Sequence, residues 1–401
     1  MHTTELARER PLRSRAFAAL TAGALAVTGL GLSSTDVGAQ TAGATSSEAA
    51  GSWLADQFVD GERFEFVIGE DVYPDHGGTV DATIALAAAG VADGIGAAAT
   101  DWLETAEQTN AYAGDGTTSN QSGGLAKLAL LAQTRGLDAR DWGEGGVDLI
   151  QRLLDMEDTG GRFTDTPDWG NDFKTFSHAF AIVALSRQGD ASPSDATLDL
   201  LLTSQCADGG FDGDLDEDPG DCSSGIDSTA VALMALVAAE RADDDDEIAD
   251  AVANLVSAQA ADGSLGNANS TGLAVYALRL AGDVGDAAAA ADAGAAYLLT
   301  LQQDCDAPEA DRGAIAADDS GFDAGTAVRA TAQGLYGITG LGYVDASAAG
   351  ATTDQPRFDC TQPEESTTTS TTTTSTTSTT VATGGVSPAA TPVRATPTFT
   401  G

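Results

Sequence analysis

Two acidic stretches carry carboxylates at spacings that could support chemistry. In 212-DGDLDEDPGDC-222 four aspartates alternate as the ligands of a calcium-binding loop do: Asp212, Asp214, Asp216 and Asp218. The stretch departs from the EF-hand pattern, because Glu217 stands at the sixth position and Ser223 at the twelfth. So many carboxylates repel one another unless a cation binds or salt screens them. Calcium is therefore the one cofactor that the sequence suggests, and a solvated acidic loop is the alternative.

The second stretch is 163-FTDTPDWGNDF-173, which holds three aspartates and a tryptophan: Asp165, Asp168, Asp172 and Trp169. Two carboxylates across a cleft, with an aromatic platform for a sugar ring, are what glycoside hydrolysis needs. Acidic residues are so common in this chain that their presence in one loop is weak support for that chemistry.

The charge of the chain excludes whole classes of partner. Its 401 residues include 61 acidic and 18 basic ones, which gives a formal net charge of -43. A surface of this sign repels nucleic acid and anionic membranes, so neither is an expected partner. We expect a solvated acidic surface suited to a salty medium, and cation binding is the alternative.

Both ends of the chain differ from its middle. Residues 1–39 combine a basic start, RERPLRSR, with an apolar run, AFAALTAGALAVTGLGL, and small residues for cleavage, which is typical of a secretory signal peptide. Residues 365–401 are rich in Ser, Thr and Pro and predict a disordered stalk. We therefore expect a secreted, extracellular protein, associated with the cell surface or free, with no transmembrane helix in the mature chain.

Four cysteines fit an oxidising compartment, since an even number in an exported protein indicates disulfides. They can pair in three ways, and spacing along the chain favours Cys206 with Cys222 and Cys305 with Cys360. The second pair would tie an extension, residues 351–364, back to the domain. Zinc is disfavoured, because the sequence has no C-x-x-C pair.

The chain between residues 46 and 350 is repetitive. Turns that combine Asp or Gly with an apolar residue recur, as in CADGGFDGD (206–214) and AADGSLGNA (260–268). A helix with one apolar stripe precedes each turn, and a helix that is apolar on nearly every face follows it. Striped helices pack on one side and apolar helices on all sides, so six such pairs predict an all-α (α/α)6 toroid with an inner and an outer ring. An open solenoid is the alternative, but no polar capping repeat is evident.

The turn motif has a structural interpretation. Gly allows the chain to leave the outer helix with φ above zero. The Phe or Leu that follows would fill the space between neighbouring hairpins, and the Gln that ends the outer helix can hydrogen-bond the turn backbone.

These repeats resemble those of the terpenoid cyclase and protein prenyltransferase superfamily. The resemblance rests on 205-QCADGGF-211, 259-QAADGSL-265, the inner segment IDSTAVALMAL (226–236) and the six-pair count. It implies the toroid fold but not one activity, because the superfamily includes cyclases, prenyltransferases, cobalamin carriers and thioester domains. The zinc ligands of the prenyltransferases and the G-C-G-E-Q run of thioester domains are missing, and the β-domain that closes a cobalamin carrier is replaced by the Thr-rich tail.

The cyclase branch of the resemblance implicates Asp227. Class II terpene cyclases use D-x-D-D-T-A, and aligning that motif on 225-GIDSTA-230 puts Asp227 at the position of the general acid. Gly225 and Ser228 replace the flanking carboxylates, and an isolated buried aspartate has a raised pKa and is a weaker acid. The alternative is a helix cap, since Asp81, Asp323 and Ser270 occupy similar points of other inner helices.

The sequence thus predicts a mildly apolar lumen. Five residues are expected at its rim: Asp81, His178, Asp227, Tyr276 and Asp323. The expected function is non-catalytic binding of a small apolar or amphipathic ligand, or of an extracellular protein. The alternative is a lipid-modifying enzyme of the class II terpene cyclase type, with Asp227 as general acid.

Overall fold

The computed structural model describes residues 44–167, 174–215, 221–241 and 244–361. The predicted signal peptide and the stalk lie outside the described residues. Thirteen helices and two short strand pairs make up the described part. No helix in it combines the length and the apolar character needed to cross a membrane.

Six helices form the inner ring: α2 (His76–Ala89), α5 (Ser122–Arg135), α7 (Lys174–Arg187), α9 (Ile226–Ala239), α11 (Ala268–Ala281) and α13 (Ala324–Thr339). Each packs on the next in this order, and α13 packs on α2. The ring therefore closes, which confirms the toroid and excludes the open solenoid. These helices are apolar on every face because they contact a helix on each side and an outer helix behind.

Six further helices form the outer ring: α1 (Ser46–Ala55), α3 (Asp93–Leu103), α6 (Leu149–Met156), α8 (Asp195–Thr203), α10 (Asp245–Ala258) and α12 (Ala287–Thr300). A short helix that the sequence analysis did not anticipate, α4 (Ala106–Ala113), follows α3. Its N-cap is Thr105, whose side chain accepts a hydrogen bond from the amide of Gln108. This cap separates α4 from α3.

Two strand pairs interrupt the all-helical pattern. β1 (Phe64–Ile68) and β2 (Asp71–Asp75) form an antiparallel hairpin that leads directly into α2. β3 (Phe211–Asp212) and β4 (Ser224–Gly225) pair in the same way before α9. Both pairs lie between an outer helix and the inner helix that follows it.

The Gln of the turn motif links neighbouring repeats. The Nε2 group of Gln205 donates to the carbonyl of its own turn glycine, Gly209 (3.0 Å), and to that of Glu247 in α10 (2.9 Å). The Nε2 group of Gln259 likewise donates to a carbonyl of its own turn and to a carbonyl in α12. Gln302 Nε2 donates to the carbonyl of Ser46 in α1 (2.7 Å). The sixth repeat is therefore joined to the first by the same kind of Gln hydrogen bond.

The turn glycine is required by space as well as by backbone angle. Gly209 has φ +84°, and a Cβ there would lie 2.5 Å from the carbonyl oxygen of Asp250 in α10. Gly263 has φ +93° and lies equally close to α12. A side chain would push the next outer helix away.

A threonine of the inner helix completes each joint. The backbone N–H of the plug residue donates to a threonine Oγ1 at 2.9 Å in four repeats: Phe64 to Thr79, Phe211 to Thr229, Leu265 to Thr271 and Ile315 to Thr331. These groups are buried, so each bond satisfies an N–H that could not reach water. The plug is therefore held by a polar bond as well as by packing.

The chain after α13 passes beneath the inner ring. Tyr343 is 1% exposed, and the Arg187 guanidinium donates to its backbone carbonyl and to that of Ala346. Farther on, the carbonyls of Thr352 and Asp354 accept from the amides of Asp93 and Ala92 beside α3. Both predicted disulfides are formed, Cys206–Cys222 and Cys305–Cys360, and the second fastens this segment to the toroid.

Candidate functional site

A cavity of about 470 Å³ lies inside the inner ring. Every inner helix lines it with two residues that are four positions apart, which places both on the same helix face. We call the more exposed set the mouth layer: Gly77, Gly123, Phe176, Asp227, Asn269 and Arg329. We call the deeper set the floor layer: Asp81, Lys127, Phe180, Val231, Leu273 and Gln333.

The floor layer contains an ion pair beside an apolar arc. Lys127 Nζ lies 2.8 and 3.0 Å from the two carboxylate oxygens of Asp81. The same ammonium lies 5.0 Å from the ring centre of Phe180 and 5.9 Å from that of Tyr343, within the range of cation–π attraction. Because both partners are satisfied, this pair adds little net charge to the cavity. Phe180, Val231 and Leu273 form the apolar arc.

The mouth layer is polar on one side. Asp227 lies on α9, Asn269 on α11 and Arg329 on α13, which are consecutive helices of the ring. Asn269 Nδ2 donates to Gln333 Oε1 at 3.3 Å, so these amides fix each other. On the opposite side, α2 and α5 contribute glycines, Gly77 and Gly123, which add no side chain to the mouth.

Asp227 is only partly satisfied. Its Oδ1 is buried and has no hydrogen-bond partner among the described residues. Burial raises the pKa of this carboxyl above the ordinary value of 3.8, while a hydrogen bond from Ser270 and the charge of Arg329 oppose the rise. The Ser228 hydroxyl donates to the Phe211 carbonyl at 2.6 Å, so it is committed to the turn.

The structure does not give Asp227 the role of a helix cap. The N-cap of α9 is Gly225, and no side chain caps that helix. Asp81 lies in the middle of α2, whose N-cap is Asp75. Of the residues expected to cap inner helices, Asp323 does so: it accepts from the amides of Gly325 and Thr326 at the start of α13.

Two of the five residues expected at the lumen rim line the cavity, Asp81 and Asp227. His178 instead faces the outer ring, where its Nε2 lies 2.8 Å from the Thr197 carbonyl, and burial lowers its pKa to about 4. His178 occupies the place in α7 that Thr229 occupies in α9, so its position serves packing between the rings.

The other two lie elsewhere. Tyr276 is buried beneath the floor, where its hydroxyl donates to Asp345 at 3.0 Å and accepts from the amide of Val344 at 2.9 Å. Burial raises the pKa of this phenol. Asp323 is exposed at its cap position. Both residues stabilise elements that frame the cavity without lining it.

The predicted calcium loop is described in part. Asp212 accepts from the amides of Asp214 (3.1 Å) and Ser223 (2.6 Å), so its oxygens already bond the turn. Asp216 and Asp218 lie outside the described residues. Among the described residues, the group with metal-like spacing is Cys206, Asp212 and Cys222, which includes an aspartate of this loop, but its two sulfur atoms form a disulfide. The calcium site stays a prediction.

The carboxylate cluster considered for glycoside hydrolysis is also described only in part. Asp165 is buried and bonds the amide of Ser122 and the Lys174 ammonium. Asp168, Trp169 and Asp172 lie outside the described residues. The contacts of Asp165 hold α5 and α7 together.

Sequence analysis missed Lys127 and Arg329 as lumen residues. The available signal was a single cation inside an otherwise apolar segment, GGLAKLALLAQ for Lys127 and AGTAVRATAQGLYG for Arg329. A charge in a helix that is buried on all sides must face a cavity or a partner charge. These two face the cavity.

No protein-family model matches the chain, and no curated protein matches it. Solved structures do. The type II terpene cyclase MstE from Scytonema, in complex with its substrate geranylgeranyl dihydroxybenzoate, aligns with a TM-score of 0.53 at 15% identity, over 73% of this chain and 95% of that one. The fold of this chain is the α/α toroid of the type II terpene cyclases. A protein from Actinoplanes also aligns, with a TM-score of 0.50 and 19% identity over 74% of this chain and 98% of that one.

Proposed function

We propose that this protein binds a small amphipathic organic molecule in the lumen of its toroid and does not convert it. The observation that carries the proposal is the layered cavity, whose polar mouth lies above an apolar floor arc. Its volume of about 470 Å³ is within the range of ligand pockets. Its lining is partly apolar and carries a few polar groups that face the same cavity, as is typical of such pockets.

The chemistry of Asp227 supports binding over catalysis. Protonating an alkene needs a strong acid, and neighbours that favour the ionised carboxylate would make Asp227 one. Burial instead raises its pKa, and the flanking positions hold Gly225 and a Ser228 whose hydroxyl bonds the turn. The group is thus a weaker acid than an unperturbed aspartate.

Cyclisation of a terpenoid substrate by Asp227 is the second candidate. It is favoured by the fold shared with MstE and by the place of Asp227 in the cavity wall. Secretion belongs to the proposal as well: the two disulfides and the acidic surface support an extracellular site of action.

Native mass spectrometry of the purified chain, before and after incubation with a total lipid extract, tests the proposal. We expect a retained small-molecule mass. L273W, which fills the floor arc, should abolish retention, while L299W on the exposed side of α12 should not. Melting temperatures of both variants show whether the fold survives.

Chromatography of the released molecule separates the two candidates. An unchanged molecule supports binding. An isomer that wild type produces and D227N does not would replace the binding proposal by the cyclase one. Equal retention by L273W and wild type would contradict both, because neither a ligand nor a substrate would then occupy the lumen.

A further inference from the structure

The mouth layer contains a cation, Arg329, that forms no salt bridge among the described residues, although its charge acts on the carboxyl of Asp227. Arg329 is exposed to the cavity, and no described carboxylate lies within salt-bridge distance of it. Lys127, by contrast, is paired with Asp81 at 2.8 Å. In a chain with 61 acidic and 18 basic residues, most cations are expected to find a carboxylate partner. Arg329 therefore offers its guanidinium to whatever enters the lumen.

The surroundings of Arg329 suit a planar anionic group. Asn269 on the adjacent helix and Gln333 one turn deeper carry amides that are already oriented by their mutual hydrogen bond. An arginine presents two parallel N–H groups that match the two oxygens of a carboxylate. The opposite side of the mouth carries no side chain at Gly77 and Gly123, and the apolar arc of Phe180, Val231 and Leu273 lies one layer below.

We infer that the ligand is an amphipathic carboxylic acid, whose carboxylate binds Arg329 and whose apolar chain lies on the floor arc. The inference rests on the proposed function and names its ligand class. A primary amine would favour Asp227 instead, and a neutral alcohol would gain from neither charge. The order of affinity among these three head groups therefore identifies the group that anchors the ligand.

The experiment compares three probes with one chain length: dodecanoate, dodecanol and dodecylamine. Binding to the full chain is measured by isothermal titration calorimetry below the critical micelle concentrations, at 0.15 M NaCl, where the Debye length is about 8 Å and repulsion by the distant acidic surface is largely screened. We expect dodecanoate to bind at least about tenfold more tightly than the other two. A tenfold change in Kd corresponds to the loss of a charge-assisted pair worth about 1.4 kcal/mol.

Three variants complete the test. R329Q should remove the preference for dodecanoate, and R329K should keep part of it, because a lysine retains charge without the planar fork. R279Q is the matched control, since Arg279 lies on α11 outside the cavity lining, 3.9 Å from the exposed Asp292. Melting temperatures exclude loss of fold.

The outcomes separate the inference from the proposed function. Equal binding of all three probes, tightest binding of the amine, or an unchanged preference in R329Q overturns the carboxylate inference and leaves the lumen as a binding site. If wild type binds none of the probes and retains no lipid from the extract, the proposed function and the inference fall together.

Discussion

At the scale of single residues, the carboxylates of the toroid have different roles because their surroundings differ. Asp81 is paired with Lys127, Asp323 caps α13, and Asp227 keeps a buried oxygen that has no partner among the described residues. The sequence alone treated the three as equivalent, since each was expected near the start of an inner helix. Asp227 is the one whose chemistry remains available to a ligand.

The raised pKa of Asp227 makes a stability prediction. The folded state binds its proton more tightly than the unfolded chain, whose carboxyl titrates near 3.8, so ionisation of Asp227 lowers the free energy of unfolding as pH rises through the folded pKa. D227N should therefore melt at a higher temperature than wild type at pH 7, and its advantage should shrink as the pH falls toward 3.8. The charged groups that line the cavity with Asp227 are Arg329, Lys127, Asp81 and Asp75.

Thermal melts over a pH series check this prediction. D323N is the control, because Asp323 is exposed and asparagine caps a helix about as well as aspartate does. A D227N variant that melts below wild type at pH 7 would mean that the ionised carboxylate is stabilised by contacts other than those of Ser270 and Arg329.

At the scale of elements, a buried polar bond fixes the plug residue of the turn in four repeats, in addition to the hydrogen bonds of the turn Gln. The plug residue contributes its N–H, and the threonine of the next inner helix contributes its hydroxyl oxygen. Since the same geometry recurs at 2.9 Å in four repeats, it is a property of the joint and not of one loop.

T229V tests the joint. Valine has nearly the shape of threonine, so the expected loss comes from leaving the buried N–H of Phe211 without a partner, which costs about 1–3 kcal/mol. Urea denaturation measures it. T203V, at an exposed position whose hydroxyl bonds the carbonyl of Leu200, should change the free energy of unfolding by less than about 0.5 kcal/mol. A neutral T229V would mean that the joint is held by packing alone.

At the scale of the whole molecule, two devices close the ring. Gln302 joins the sixth turn to α1, and Cys305–Cys360 fastens the segment that runs beneath the inner helices. That segment places Tyr343 under the lumen, so the cavity has a floor at one end and a mouth at the other.

Removing the second disulfide tests how much the fastening of this segment contributes to the free energy of unfolding. The bond spans 55 residues, and loop-closure entropy predicts that C305A/C360A costs about 4 kcal/mol. The comparison variant C206A/C222A opens a 16-residue span and should cost about 3 kcal/mol. Hydrogen exchange at the amides of Ala92 and Asp93 should accelerate in the first variant alone. A cost below about 1 kcal/mol for C305A/C360A would show that non-covalent contacts hold the segment.

Spacing along the chain favoured one of three possible pairings of the cysteines, and the sequence by itself determined the repeat and the two rings. These follow from local rules: a stripe or an apolar surround decides on which sides a helix is buried, and a glycine turn separates one helix from the next. Such patterns are contained in short stretches like 205-QCADGGF-211, so they can be recognised before any contact is known. Neither α4 nor the β1–β2 hairpin was predicted, because neither belongs to the repeated pair of a striped and an apolar helix.

Only the tertiary structure decided which residues face the lumen. Positions four apart on each inner helix line it, but apart from a lone charge such as Lys127, an apolar helix has no sequence signal that separates its lumen face from its packed faces. His178 and Tyr276 were expected at the rim and point elsewhere, while Lys127 and Arg329 face the cavity. The rotation of each helix is fixed by packing against three neighbours from distant parts of the chain, and that information exists only once the ring has closed.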